Sequence, residues 1–437
     1  MSLRKSLHTF CAPIKDSESW YIINPLSGQA DLIGPEIAGD FLDDKLQDPQ
    51  PFIEKGYYME EDKEKALFNS SYLDFIDQQD DAEVQIFYVP DYFCNFKCTY
   101  CYQEEYGVST AVKDQTEIID AFFKYLDKNF AGRSYYLTLF GGEPLLTSES
   151  HKKNIFHFLD RADERGLSLA IVTNGYSLES YLPRLKQSKI REIQITLDGP
   201  AAIHDVRRPL KGGVGTFQKV SDAVNMTLQA GIRVNLRAVI DKHNIDSLPA
   251  LAQYAIDQGW TESDLFVTQL GRNYELHSCQ KDHAYLYTRI GMYEKIYELI
   301  NDHPEILEFH KPAFSLSRFL SEEGELPQPL FDSCPGAKTE WAFDYTGNIY
   351  SCTATVGKKG EELGQFFPEI IMNEETIEEW QERDVCSIEK CRSCAVQLAC
   401  GGGCAAVAKN RTGSIMNADC RPIKELMTLG LSAYLEE

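Results

Sequence analysis

The chain has 437 residues, 43% of them apolar and 25% charged, ordinary globular usage that excludes long disorder, collagen-like repeats and a dominant coiled coil. At roughly 150 residues per domain the length holds about three units. A formal net charge of −24 repels phosphate backbones and anionic lipid, so no nucleic acid and no membrane is expected as a partner, and neutral or basic partners are favoured. No run approaches the ~20 apolar residues of a membrane span, and Arg4 and Lys5 precede nothing like a signal-peptide core, so the expected compartment is the cytoplasm.

Residues 1–82 read as a small α+β appendage. Trp20 to Ile23, a Pro25–Gly28 turn and Ala30 to Ile33 predict a hairpin, and a helix follows from about Pro35. Apolar Ala66, Leu67, Leu73 and Ile76 at helical spacing predict a second helix over Glu60–Ile76. The appendage is either a peptide-docking element or a packing extension.

Residues 83–311 change to a regular alternation. Predicted strands are Glu83–Val89, Tyr135–Phe140, Leu167–Thr173, Glu192–Leu197, Arg233–Ile240 and Asp264–Gln269. Helices are predicted after them at Gln115–Phe130, Ser150–Glu164, Leu178–Lys189, Thr216–Ala230, Asp246–Gln258 and Lys281–Asn301. Six β/α units in series imply an α/β fold with a parallel sheet and ligands at the carboxyl ends of its strands. Six units fall short of a closed eight-fold barrel, so a partial (β/α)6 TIM-like barrel is expected. Residues 312–437 follow, with Pro312–Pro335 read as a linker, because it carries Gly324, Pro327 and Pro329, into a cysteine-rich iron–sulfur domain.

The 13 cysteines are clustered, which in a reducing compartment reads as metal ligation before disulfides. Cys94, Cys98 and Cys101, spaced C-x3-C-x2-C after the first barrel strand, can hold three irons of a [4Fe–4S] cube and leave the fourth open. Zinc is the alternative, but structural zinc sites close with a fourth Cys or His, and no His stands nearby. A second string comprises Cys334, Cys352, Cys391, Cys394, Cys400, Cys404 and Cys420, for which a two-pair zinc ribbon is the alternative. Cys11 and Cys279 fit no motif and read as ordinary thiols.

The cysteine loop, C-x3-C-x-aromatic-C at the end of the first strand, resembles the radical S-adenosylmethionine superfamily. Gly141-Gly142-Glu143-Pro144 after the second strand is similar to the loop with which that superfamily binds the amino group of S-adenosylmethionine; small residues permit close approach and a carboxylate accepts from an ammonium. The resemblance further implies that Thr196, in Ile195-Thr-Leu-Asp-Gly199, touches the cofactor. It implies also that Arg208, with Arg207 its rival, meets the methionine carboxylate, and that Tyr100 walls the adenine. The seven-cysteine string, with Gly347 ahead of Cys352, resembles the SPASM domain. That likeness implies an outer auxiliary cluster on Cys391, Cys394, Cys400 and Cys420. It implies an inner one on Cys334, Cys352 and Cys404, where Cys386 is the nearest spare ligand.

These likenesses imply S-adenosyl-L-methionine on a [4Fe–4S] cluster, two auxiliary clusters, a low-potential electron donor such as flavodoxin or ferredoxin, and an oxidoreductase acting on a peptide or protein. The expected product is a cross-link, thioether or oxidised residue, as in enzymes that mature ribosomal peptides. Anaerobic sulfatase maturases carry an aspartate directly after the second inner cysteine, where this chain has Thr353, so formylglycine formation is the alternative rather than the first reading. A non-catalytic electron carrier is the second alternative, disfavoured by Glu143 and Arg208. No residue presents itself as a general base.

Overall fold

The computed structural model of the protein describes residues 3–103, 114–273 and 284–435. Cys279 and the start of the helix expected from Lys281 lie outside the described residues.

The appendage holds β1 (Leu3–Lys5), β2 (Phe10–Pro13), β3 (Trp20–Asn24), β4 (Gln29–Ile33) and β5 (Tyr58–Glu60). The expected hairpin is β3–β4, closed from Trp20 opposite Ile33 to Asn24 opposite Gln29, with β2 added on its far side, so that β4 is an edge. The helix Glu61–Asp81 continues past Ile76. A single guanidinium nitrogen of Arg133 donates to Gln79 O, Asp80 O and Ala82 O and so satisfies terminal carbonyls that local sequence leaves open. Phe10, Tyr21 and Ile23 share an apolar core with Leu326, Ile423 and Met427, and Leu67, Phe68 and Tyr72 pack with Phe331 and Leu398. The first eighty residues are therefore joined to the cysteine-rich region by buried apolar surface.

The barrel strands are β6 (Val84–Val89), β7 (Tyr135–Leu139), β8 (Leu169–Thr173), β9 (Ile190–Thr196), β10 (Val234–Ile240) and β11 (Phe266–Arg272). They pair in chain order, every pair parallel. Alternate side chains such as Val84, Ile86 and Tyr88 meet the outer helices: Tyr88 lies 4.8 Å from Phe122 and 5.0 Å from Phe158, centroid to centroid. The opposite face is mixed, with an apolar patch at Phe87, Val89 and Ala342 beside polar side chains. Gln85 donates to Thr138 at 3.0 Å, while Gln194 and Arg237 both donate to Gln269 at 3.0 and 2.9 Å. A closed barrel fills that space with apolar layers; amide, hydroxyl and guanidinium groups there suit a polar occupant.

Three departures from the sequence reading have physical causes. The helix expected over Leu178–Lys189 is a 3-10 turn at Leu178–Ser180 and one helical turn at Leu182–Leu185, because Pro183 can start a helix but cannot continue one. Between the predicted strand Glu192–Leu197 and the predicted helix Thr216–Ala230, where no element was expected, stands a further helix, Ala201–Arg207, opened by Pro200 and ended because Arg208 precedes Pro209 and leaves the α region, at φ −131° and ψ 51°. Lastly, the sheet crosses the expected boundary at 311/312. Strand β12 (Glu340–Asp344) pairs parallel with β6, and β13 (Asn348–Tyr350), β14 (Glu362–Gln365) and β15 (Ile371–Met372) follow antiparallel, giving ten strands. The region read as a linker contains the helix Ser317–Glu323.

Candidate cofactor and cluster sites

The loop after β6 carries Cys94, Cys98 and Cys101. It is held by main-chain bonds to a segment more than a hundred residues on: Lys97 N donates to Pro209 O at 2.8 Å, Thr99 N to Arg207 O at 2.9 Å and Lys211 N to Asn95 O at 2.9 Å. These bonds pin the end of the helix to the cysteine loop, and the break at Arg208 sends the two arginine side chains to different partners. Arg208 lies close enough to Cys98 for its charge to act on the thiol, and its Nη1 donates to Tyr100 Oη at 2.6 Å. Its buried Nε has no partner among the described residues. Arg207 turns away to Asp241 at 2.8 Å and Asp198 at 3.4 Å. Of the two, Arg208 is the guanidinium with a donor to spare beside the thiols.

Gly141 to Pro144 meet the same loop from β7. Glu143 N donates to Phe93 O at 2.9 Å, and a Cβ on Gly142, at φ +48°, would fall 2.4 Å from Phe93 O, so no larger residue fits there. Glu143 is buried. Its Oε1 accepts from Thr173 Oγ1 at 2.6 Å and Leu145 N at 2.8 Å, and its Oε2 from Asn174 N at 2.7 Å. A carboxylate oxygen with one donor keeps a lone pair for a further one. Burial holds the Glu143 carboxyl above the usual range.

Burial also pushes Cys94 up to about 12, with Glu143 adding to it, and Cys98 to about 11 against the opposing charge of Arg208. Thiols so reluctant to ionise alone are deprotonated outright by a metal they ligate. Among the described residues no three His, Cys, Asp or Glu side chains form a group that could hold a metal ion, and none of the twelve described cysteines is in a disulfide.

Thr196 closes β9, is buried and stands on the inward face with Gln194. Tyr100 is held by its hydroxyl, donating to Asp198 Oδ2 at 2.6 Å, and Arg207 lies 4.9 Å above its ring. Sequence reasoning passed over Asp198, Asn174 and Gln103. Asp198 also accepts from Val239 N, Asn174 Nδ2 approaches Cys94 Sγ at 3.8 Å, and Gln103 accepts from Gly142 N at 2.8 Å while its buried Nε2 lacks a partner among the described residues. Asp198 lay inside Ile195–Gly199, already singled out, and Asn174 directly follows the predicted strand Leu167–Thr173, both at strand ends where ligands gather. An orphaned guanidinium nitrogen, an orphaned amide and a glycine cradle around three thiols fit a ligand bearing both carboxylate and ammonium.

Arg208→Ala should therefore weaken S-adenosylmethionine binding about tenfold or more, as loss of a charge-assisted hydrogen bond of ~1.5–3 kcal/mol requires, with little change in melting. Arg207→Ala should do the reverse, because it strands buried Asp198 and Asp241. Calorimetric titration and thermal melts of both variants distinguish them.

His204, fully buried, faces Asp198 N at 3.2 Å and Thr216 Oγ1 at 3.1 Å. Burial, then the charge of Arg208, lowers its pKa to about 4. The unfolded chain takes up this proton near 6.5 and the folded chain does not. Stability from this group is complete above pH 6.5 and is lost as pH falls towards 4, by about 1.4 kcal/mol per unit. A His204→Gln variant should show a flatter decline of melting temperature between pH 6.5 and 5 than the parent.

The C-terminal thiols fall into two groups. Burial, Glu340, and then Cys334 and Cys404 all raise the Cys352 thiol. Cys391 is raised to about 11 by burial and then by Cys400, Cys394 and Cys420. Cys400 and Cys404 part company because Gly401, Gly402 and Gly403 all adopt left-handed φ of 61°, 73° and 74°. A Cβ at Gly403 would lie 2.0 Å from Asp419 O. Cys386 joins neither group: its thiol feels Asp384 and Arg392 and lines a cleft with Arg4, His8 and Phe68.

An open parallel barrel with a three-thiol loop, a buried acid and a free guanidinium at the carboxyl ends of its strands belongs to the cofactor-binding β/α class. Residues 88–255 match the Radical SAM superfamily. The chain thus carries a radical SAM domain, whose cofactors are a [4Fe–4S] cluster and S-adenosylmethionine. It is 28% identical over 173 residues to the GTP 3',8-cyclase of Rhizobium etli (strain CIAT 652), covering 38% of this chain and 46% of that one. It is 24% identical over 168 residues to the cysteine-type anaerobic sulfatase-maturating enzyme of Clostridium perfringens (strain 13 / Type A), covering 37% and 45%. The matched stretch spans less than half of either relative.

Among solved structures, native anSMEcpe with bound AdoMet superposes with a TM-score of 0.62 at 18% identity over 79% of this chain and 96% of that one. Streptococcus suis SuiB bound to S-adenosylmethionine gives 0.53 at 15% over 93% and 98%. Likeness at these identities shows a shared fold. Both proteins also match in peptide-bound forms, with the Cp18Cys peptide and the precursor peptide SuiA.

Proposed function

We propose that this chain is a peptide or protein maturase that removes a hydrogen atom from its substrate and installs a cross-link, thioether or oxidised residue. The observation that supports this reading is a second set of seven cysteines beyond the Cys94 loop, two of which, Cys334 and Cys352, flank strands that continue the barrel sheet: a site for S-adenosylmethionine alone has no use for them. Peptide-bound relatives of the same fold support it.

In this reading residues 83–311 bind the cofactors, 312–437 carry two auxiliary clusters and 1–82 dock the peptide. Cys94, Cys98 and Cys101 would hold the first cluster. Glu143 would take the ammonium of S-adenosylmethionine, Arg208 its carboxylate, and Gly142, Thr196 and Tyr100 would line its pocket. Reduced S-adenosylmethionine supplies a carbon radical; the chain's own residues bind, orient and shield it. Cys334, Cys352 and Cys404 would hold the inner cluster and Cys391, Cys394, Cys400 and Cys420 the outer one, as electron acceptors. A flavodoxin or ferredoxin would donate the first electron.

The test is anaerobic incubation with S-adenosylmethionine, dithionite and peptides encoded beside the gene, read by mass spectrometry. A mass change in one peptide that requires S-adenosylmethionine supports the reading, and formylglycine would identify the sulfatase-type alternative that the Clostridium relative favours.

An extended peptide can add to the free edge of β4 by main-chain bonds, where Leu32 is 56% exposed. Deleting the appendage would strip the cores it shares, so a point change is the cleaner probe. Leu32→Asp should weaken peptide binding about tenfold in an anisotropy titration and leave S-adenosylmethionine affinity unchanged; unaltered peptide affinity would mean that residues 1–82 only pack.

A further inference from the structure

Glu340 begins β12, opposite Gln85 of β6, which in turn lies opposite Tyr136 of β7. Its neighbours Trp341 and Phe343 face the outer helices, 6.1 Å from Phe130 and 5.2 Å from Phe122. Glu340 therefore points inward, and its charge reaches Tyr136. Its Oε1 accepts from Thr353 N at 2.9 Å, and among the described residues no lysine, arginine or histidine pairs with it. Thr353 O in turn accepts from Tyr102 Oη at 3.4 Å. Tyr102 follows Cys101 and Thr353 follows Cys352, so one short chain of contacts runs from the first cysteine loop to the inner thiols, with this carboxylate on it.

Resting on the maturase reading above, we propose that Glu340 is the proton acceptor for the substrate residue being oxidised. The substrate C–H bond would lose a hydrogen atom to the 5′-carbon of S-adenosylmethionine, whose S–C5′ bond is broken with one electron from the low-potential donor and whose methionine leaves. The substrate then gives one electron to the iron–sulfur acceptor at Cys334, Cys352 and Cys404, and one proton from a neighbouring N–H, O–H or S–H to Glu340. Two hydrogens leave in all, and one new bond forms. Glu340 is partly accessible, so the proton can pass on to water. A carboxylate here needs no aspartate at position 353.

Three reconstituted holoenzymes test this: the parent, Glu340→Gln, and Glu340→Gln with Thr353→Asp. The probes are synthetic copies of the short peptides encoded beside the gene. Product should fall at least about a hundredfold in Glu340→Gln and recover at least about tenfold when Thr353→Asp restores a carboxylate at the adjoining position. Iron content, the electron paramagnetic signature of the auxiliary clusters, and the affinities for S-adenosylmethionine and peptide should stay within about twofold of the parent. Full product from Glu340→Gln overturns the assignment, as does loss of iron, which would make Glu340 a cluster ligand. A tenfold loss of peptide affinity would make it an anchor instead. A parent that modifies no peptide sinks the maturase reading itself, and this inference with it.

Discussion

Replacing Cys94, Cys98 and Cys101 together by alanine should lower the iron of the anaerobically reconstituted protein from about twelve to about eight atoms per chain. It should also abolish reductive cleavage of S-adenosylmethionine. Three thiolates leave one iron of a cube open, and that iron is where the ammonium and carboxylate facing Glu143 and Arg208 would bind. Without it those side chains surround nothing that can deliver an electron. The other seven cysteines stand in two separate groups, with left-handed glycines 401 to 403 dividing Cys400 from Cys404, so their iron should survive. Zinc in place of iron, or saturation near four atoms in the parent, would break the three-cluster assignment.

The second large effect should come from a residue with no motif. Arg383 is fully buried, and its guanidinium donates to Ile415 O at 2.5 Å, Gly403 O at 3.1 Å, Gly402 O at 3.0 Å and Asn417 O at 3.1 Å, with Asp332 at 3.7 Å. It ties the glycine turn to the strand of chain that follows Cys404, and through Asp332, which also accepts from Cys334 N, to the first inner cysteine. Removing one partner of a buried pair costs about 3–5 kcal/mol, a large part of a typical total of 5–15 kcal/mol. Arg383→Met should lower the melting temperature by roughly 5 °C or more and reduce auxiliary iron while the Cys94 loop keeps its own. Arg383→Lys should do nearly as badly, since one ammonium cannot span four carbonyls in a fixed plane. Melting and iron assays on the two variants check this; a stable, fully loaded Arg383→Met protein would contradict it.

Much of this architecture was legible in local pattern. The six barrel strands announce themselves because both faces are covered, giving runs such as Val84 to Val89 with little polar interruption. Cysteine spacing and Gly141 to Pro144 are likewise short-range signals. What escaped depends on distant pairing. Nothing near Glu340 says that its strand will lie beside β6, some 250 positions earlier, so a segment read as linker and cysteine ligands also supplies a wall of the barrel. The choice between Arg207 and Arg208 is set by main-chain bonds to residues 95–99. Asp198, Asn174 and Arg383 act through partners far along the chain, and only folding brings those partners in.

The central claim is that S-adenosylmethionine binds the cluster at Cys94, Cys98 and Cys101 through the clamp of Glu143 and Arg208. Electron paramagnetic resonance of the dithionite-reduced holoenzyme, recorded with and without S-adenosylmethionine, tests it most directly. The signal of one cluster should change on addition of S-adenosylmethionine, that change should be absent in the triple alanine variant, and Arg208→Ala should need about tenfold more ligand to produce it. Spectra that are identical with and without S-adenosylmethionine would contradict the account.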